Sequence, residues 1–237
     1  MCILSIVKSN DRLIITSNRD EQRSRKNSQI PEIINSGNRK SILARDAQAQ
    51  GTWLLTDNFG RSAVLLNGAF TSHTSTPPYR ESRGIILMNL FQEEQFKSAF
   101  LFYNLNNIEP FQVIYVDLKN ALQCVWDGEQ KHVFQIDLSK PQVYFSPTLY
   151  ERSQQDVKRK NFLSTFKKID SITKAELFDF HTAKNDGNSD LNFFMNREFQ
   201  TTKSVTQIEI YQTQTNYLQW QAWDMQRHEI TLPHATV

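Results

Sequence analysis

The order of segments along the chain predicts an α+β domain in which two antiparallel sheets pack face to face with helices on their outer sides. Three observations carry this expectation. The first two apolar runs, Cys2 to Lys8 and Arg12 to Asn18, are apolar on both faces, with Leu4, Ile6, Leu13 and Ile15 on one and Ile3, Val7 and Ile14 on the other. A strand pair of that kind belongs between two layers and not at a surface. Segments of strand character alternate with stretches of helical spacing, in the order strands, helices, strands, helices, strands. No repeat and no linker-like break interrupts the 237 residues, so 1–237 is expected to be one domain.

The first two runs are separated by Ser9-Asn10-Asp11 and read as a hairpin. With Asn10-Asp11 at the loop centre, paired positions sum to 21 and Cys2 faces Arg19; a three-residue loop would shift the partner to Asn18 or Asp20. Residues 22 to 41 are polar and punctuated by Pro31 and Gly37, which predicts a loop over this hairpin. Its Arg23, Arg25, Lys26, Arg39 and Lys40 read as a solvated surface in preference to an anion clamp. Thr52 to Asp57 and Arg61 to Asn67 flank Asn58-Phe59-Gly60 as a second hairpin, and Asn67-Gly68 is a turn signal at its end. After Pro77-Pro78, Ser82-Arg83-Gly84 opens a helical stretch to about Tyr103, broken near Gln92-Glu93-Glu94, with Phe96, Ala99, Phe100 and Tyr103 on one face.

Phe111 to Asp117, Ala121 to Trp126 and Glu129 to Ile136 form a meander turning at Lys119-Asn120 and Asp127-Gly128. Cys124, inside the middle strand, reads as a small buried hydrophobe. Glu151 to Lys168 is a helix, Thr173-Lys174-Ala175-Glu176 is a capping box opening another, and Asp186-Gly187-Asn188 ends that layer in a loop. Ser204 to Ile210, Thr215 to Asp224 and Glu229 to Leu232 return to strands.

Composition excludes several classes. Lys+Arg 27 against Asp+Glu 25 leaves a net charge of +2 with no basic stripe, so a nucleic-acid partner is not expected. Apolar runs such as Ala63 to Leu66 are far shorter than a membrane span, and the N-terminus lacks a signal-like segment, so a cytoplasmic protein with two free cysteines is expected. The five histidines show no paired spacing for a metal, and seven glycines form no phosphate loop, so neither metal nor cofactor is expected. Chemistry concentrates at Cys2. Removal of Met1 would leave a thiol and a free α-amine on one residue, and that amine can take the thiol proton near neutral pH.

Met1-Cys2-Ile3-Leu4, Ser17-Asn18-Arg19-Asp20-Glu21, Ala44-Arg45-Asp46, Gly51-Thr52-Trp53-Leu54, Gly60-Arg61 and Leu65-Leu66-Asn67, in this order and spacing, resemble the NRDE family, also called transport and Golgi organisation protein 2. That family is in turn similar to the N-terminal nucleophile (Ntn) hydrolases, especially the cysteine branch containing bile salt hydrolases and acyl-CoA-dependent penicillin acyltransferases. The resemblance implies a four-layer αββα sandwich and amide hydrolysis or acyl transfer on a small substrate. Cys2 would be the nucleophile with its α-amine as base, Arg19 and Asp20 would orient and charge-tune the thiol, and Asn67 would hold the oxyanion. Asn18, Glu21 and Lys203 would contact substrate. The chain departs from the pattern at Tyr144-Phe145-Ser146-Pro147-Thr148, which lacks the asparagine of relatives, and at Thr201-Thr202-Lys203, where a cation remains without arginine's planar fork. The alternative function is a non-catalytic carrier holding an apolar ligand, lipid or haem, in the same pocket. The oligomeric state is not readable from the sequence.

Overall fold

The computed structural model describes residues 3–9, 11–184 and 191–235. Cys2, Asn10 and Asp186-Gly187-Asn188, and with them the facing of Cys2 and Arg19, the centre of the first turn and the loop after the second pair of helices, lie outside the described residues.

The first hairpin is formed by β1 (Ile3–Lys8) and β2 (Leu13–Gln22). Its pairs run from Ile3 opposite Asn18 to Lys8 opposite Leu13, each summing to 21 as the turn predicts. Chain order continues with β3 (Glu32–Ser36), β4 (Arg39–Leu43), β5 (Leu54–Asp57) and β6 (Ser62–Asn67), then α1 (Arg83–Gln92) and α2 (Phe96–Phe102). The meander is β7 (Phe111–Val116), β8 (Ala121–Trp126) and β9 (Lys131–Gln135), followed by β10 (Gln142–Phe145). Helices α3 (Arg152–Thr165) and α4 (Lys174–Thr182) precede β11 (Gln200–Ile210), β12 (Gln214–Gln221) and β13 (Arg227–Pro233).

These strands make two antiparallel sheets, a six-stranded one ordered β10-β1-β2-β11-β12-β13 and a seven-stranded one ordered β3 through β9. Between them lies a core in which Leu4, Ile6, Leu13 and Ile15 meet Leu54, Val64, Leu66 and Ile114. The opposite face of the hairpin, Ile3, Val7 and Ile14, packs under Phe162 of α3 and Leu177 of α4. Leu55, Leu65 and Val113 likewise pack under Leu90 and Phe91 of α1 and Phe96 and Phe100 of α2. The predicted four layers, helices outside and two sheets inside, are present, and the two-sided apolar pattern of the first hairpin is their direct cause.

The structure corrects the reading of residues 22 to 41 as loop. β2 continues to Gln22, and β3 and β4 form a hairpin turning at Gly37, whose φ of 59° suits glycine. β3 is an edge strand exposed along most of its length, so it carries none of the alternation that betrays a half-buried strand. Four-residue β10 was too short to stand out beside Pro141. α3 stops at Thr165, three residues short of the predicted Lys168, and a 3-10 turn at Ile169–Ser171 follows. Both expected helix starts hold: the Ser82 side chain accepts from the Ile85 amide, and Thr173 and Glu176 close a reciprocal capping box.

Candidate active site

The second half of β2 divides its side chains between two environments, because alternate residues point to opposite faces. Arg19 and Glu21 face the space between the sheets; Asn18 and Asp20 face the helical layer above.

Arg19 is 1% exposed and its charge is therefore matched inside the protein. Nη2 donates to Asp46 Oδ2 at 2.5 Å, and the guanidinium carbon lies 4.7 Å from the centre of the Trp53 ring. Nε and Nη1 have no hydrogen-bond partner among the described residues. Asp46 is held by a second arginine: Arg25 Nε and Nη2 reach Oδ2 and Oδ1, each at 2.9 Å. The amides of Gln48 and Ala49 donate to Oδ1 at 3.0 and 2.8 Å. Burial works to raise the pKa of Asp46, but these donors and the two guanidinium charges outweigh it and hold the carboxyl at about 2. Glu21 completes the group, 3.9 Å from Arg19 and 3.8 Å from Arg25.

Over this group lies a pocket of about 140 Å³, walled by Glu21, Arg25 and Asp46 on one side and by Trp53, Asn67 and the start of α1 on the other. The wall depends on two glycines. A Cβ on Gly51 would stand 2.6 Å from the Gly84 carbonyl carbon, and one on Gly84 would stand 2.8 Å from Thr52 O, so backbone meets backbone where α1 begins. Asn67 ends β6 and Gly68 turns with φ 81°, its amide bound to Pro110 O at 3.0 Å. The turn signal and the site role are thus compatible. The Asn67 backbone amide donates to Ser146 Oγ at 3.0 Å, whereas its side-chain Oδ1 is buried without a partner among the described residues.

The remaining expected residues sit elsewhere. Asn18 is committed on the outer face: Nδ2 donates to His181 O at 3.0 Å and Phe193 O at 3.1 Å, and Oδ1 lies 2.5 Å from His181 Nδ1. Asp20, fully buried on that face, receives the hydroxyls of Thr202 at 2.6 Å and Tyr150 at 2.8 Å; burial raises its pKa against these donors. Lys203 sits at a bulge in β11 with Nζ on Arg23 O at 2.9 Å, and burial, then the charges of Arg19 and Arg23, lower its pKa. Asn18, Asp20 and Lys203 are not among the pocket walls, whereas Glu21 and Asn67 are. Cys2 lies outside the described residues; Cys124 is fully buried in β8 and burial pushes its thiol up to about 12.

Sequence reasoning gave no role to Asp46, Arg25 or Ser146. Asp46 stood in the Ala44-Arg45-Asp46 block without a stated partner, and Arg25 was read as solvated charge. Arg25 instead clamps the carboxylate that Arg19 needs, a pairing between residues 21 positions apart that no local pattern encodes.

Two antiparallel sheets between helical layers, with a charged pocket at the ends of β2 and β6, define a protein of the Ntn-hydrolase fold. Solved structures agree. A Caenorhabditis elegans N-acylethanolamine-hydrolyzing acid amidase ortholog aligns with a TM-score of 0.62 at 10% identity, covering 87% of this chain and 92% of that one. A variant of the conjugated bile acid hydrolase from Clostridium perfringens aligns with a TM-score of 0.64 at 12% identity, covering 97% and 92%. A second variant of that hydrolase gives 0.62 at 10%, covering 100% and 97%. At such identities the likeness is one of fold. The family is given by the sequence: residues 1–221 match the model described as Transport and Golgi organisation 2, and the chain belongs to that family. No curated protein sequence matches it. No helix among the described residues is long and apolar enough to cross a membrane.

Proposed function

We propose that this protein is an N-terminal cysteine amidohydrolase or acyltransferase acting on a small amide or acyl substrate. Cys2, freed of Met1, is the nucleophile and its α-amine the base. Arg19 and Asp20 orient and charge-tune the thiol, Asn67 donates its side-chain amide to the oxyanion, and Glu21 contacts substrate from the pocket wall. The observation that carries this reading is the pocket over Arg19. One small polar cavity is lined by Asn67, Glu21, Arg25 and Asp46, and Asp46 pairs with a buried guanidinium, Arg19, two of whose nitrogens have no partner among the described residues. An oxyanion requires fixed donors, and Asn67 Nδ2, at the pocket wall, is the group that would supply one. The fold supports the same reading, since the structurally similar proteins are named as an amidase and a hydrolase. The carrier alternative fares worse on size: about 140 Å³ is below the roughly 300–1,000 Å³ of pockets that enclose a drug-sized ligand.

The test is labelling of the processed protein, its Met1 removal verified by intact mass, with an activated acyl thioester. Acylation is expected at Cys2, with Cys124 silent because a thiol at about 12 is on the order of 10⁻⁵ ionised near pH 7. The same protein with Met1 retained is expected to react slowly, its amine being an amide nitrogen. Equal labelling of the two forms would remove the amine from the mechanism, and failure to acylate Cys2 in the processed form would return the carrier reading.

A further inference from the structure

Below the pocket, the pairing of β11 with β2 changes register. Ser204 and Val205 stand opposite Arg19 and Asn18, each pair summing to 223, whereas Thr202, Thr201 and Gln200 stand opposite Asp20, Glu21 and Gln22, summing to 222. Lys203 is the inserted residue. Were the regular pairing of Ser204 and Val205 continued through Lys203, Thr202 would stand opposite Glu21, and the period of two would turn its side chain to the other face of the sheet. With it, Thr202 shares the face of Asp20.

The hydrogen bonds there have fixed directions. Thr202 Oγ1 accepts from the Met195 amide at 2.8 Å, so its own proton is free to go to Asp20 Oδ1 at 2.6 Å. Tyr150 O–H donates to Asp20 Oδ2 at 2.8 Å. Asp20 is 0% exposed, Thr202 1% and Tyr150 2%, so these donors replace water around the carboxyl group. Each oxygen accepts from one of these hydroxyls, which suits a carboxylate.

We propose that Thr202 and Tyr150 are positioning residues that keep Asp20 ionised and aimed, and that the bulge at Lys203 is the device that brings Thr202 to it. The inference rests on the proposed role of Asp20 in tuning the nucleophile. Two charges act on Asp20 besides its hydroxyl donors: that of the amino terminus lowers its pKa and that of Glu21, beside it on β2, raises it. Lys158 of α3 and Arg197 lie beyond the Tyr150 ring, 5.7 and 5.3 Å from its centre. None of these changes in the variants that test the idea.

The experiment compares Thr202→Val, Tyr150→Phe and Thr202→Ser in processed protein. Two readouts are followed over pH: the rate of Cys2 acylation by an activated thioester, and the carboxyl ¹³C titration of Asp20, assigned with Asp20→Asn. Tyr150→Phe keeps the ring and its packing against Phe145, so it guards against a folding defect in Thr202→Val. In each of these two variants the Asp20 titration is expected to move up by about one pH unit, as loss of a charge-assisted donor implies. The acid limb of acylation moves with it, and Thr202→Ser recovers both. An unmoved Asp20 titration in both variants overturns the inference while acylation of the wild type leaves the functional reading standing. A wild type that is not acylated at Cys2 but shows the Asp20 shifts overturns the functional reading and leaves the positioning of Asp20 intact. Rate loss in Thr202→Val that Thr202→Ser does not recover, with Asp20 unmoved, assigns the hydroxyl a structural role only.

Discussion

Asn67 is where two readings of one residue meet, because a strand-ending asparagine before glycine is a turn signal and a side-chain amide at a pocket is an oxyanion donor. The geometry separates the duties: the bend is made by Gly68 at φ 81°, whose amide binds Pro110 O, the Asn67 backbone amide is held by Ser146 Oγ, and the Asn67 side-chain oxygen has no partner among the described residues. Asn67→Ala is therefore expected to lower Cys2 acylation by about 10²–10³-fold, the usual effect of losing one oxyanion donor. Its cost in stability should stay at about 1 kcal/mol or less, since no side-chain hydrogen bond of Asn67 to the described residues is lost. Burst kinetics with an activated ester beside a urea melt checks both. An unchanged burst with a lowered melt would reduce Asn67 to a turn residue. Arg19 teaches a different lesson at this scale. Its identity stood out in the Asn18-Arg19-Asp20-Glu21 block, but its ion partner came from a separate loop, and only folding joined Arg19, Arg25 and Asp46 into one network.

At the scale of elements, the pocket wall is set by how close α1 can come to the segment before β5. Gly84 sits in the first turn of α1, where alanine would ordinarily favour the helix by up to about 1 kcal/mol. Here a Cβ would meet Thr52 O at 2.8 Å and Thr52 N at 2.9 Å, both backbone atoms that cannot swing aside. Overpacking of that kind typically costs about 1–3 kcal/mol, so the clash wins over propensity. Gly84→Ala is expected to lower the melting temperature and, by pushing α1 from the wall it shares with Asn67, to slow acylation as well. A variant that is more stable than wild type would show that the helix start can shift at no cost. Gly51 in the Gly51-Thr52-Trp53-Leu54 block has the same physical reason, facing Gly84 from the other side.

Across the whole molecule, one buried histidine ties the outer helical layer to the sheet. His181 of α4 is 0% exposed, and its Nε2 lies 2.7 Å from Ser5 Oγ on β1 while Nδ1 lies 2.5 Å from Asn18 Oδ1 on β2. Since the Asn18 amide nitrogen is engaged by two carbonyls, its oxygen is the acceptor, which assigns the histidine proton to Nδ1 and leaves Nε2 to accept from Ser5. Burial holds the imidazole neutral down to about 3, against an ordinary value of 6.5. The unfolded chain thus binds a proton near pH 6.5 that the folded chain refuses until about pH 3. The stability associated with the neutral ring is complete above 6.5 and is lost as the pH falls through that window, at about 1.4 kcal/mol per unit. Denaturant midpoints between pH 7 and 4 are expected to fall in the wild type. In His181→Gln the fall should be smaller by one proton, even though the variant starts lower at pH 7 for want of its buried partners. Parallel curves for the two proteins would mean that His181 titrates normally in the fold.

The sequence by itself determined the layered architecture, because two-sided apolar strands and one-sided helices leave few ways to bury Leu4, Ile6, Ile3, Val7 and Ile14 at once. It also determined the capped starts of α1 and α4 and narrowed the first hairpin's register to neighbouring alternatives, of which the structure has the one centred on the two-residue loop. It pointed to Arg19, Asp20, Glu21 and Asn67 through short motifs, and it hid the edge strand β3, whose exposed faces carry no period. What only the tertiary structure decided is which of these side chains meet: alternation along β2 sends Glu21 to the pocket and Arg19 to Asp46 of its wall, and Asn18 and Asp20 to the helical layer. Asp46 and Arg25 join the first pair, and Thr202, Tyr150 and His181 the second, from up to 182 positions away. Contacts at such separation leave no local signature, since a buried charge or hydroxyl is satisfied by whatever the fold brings to it.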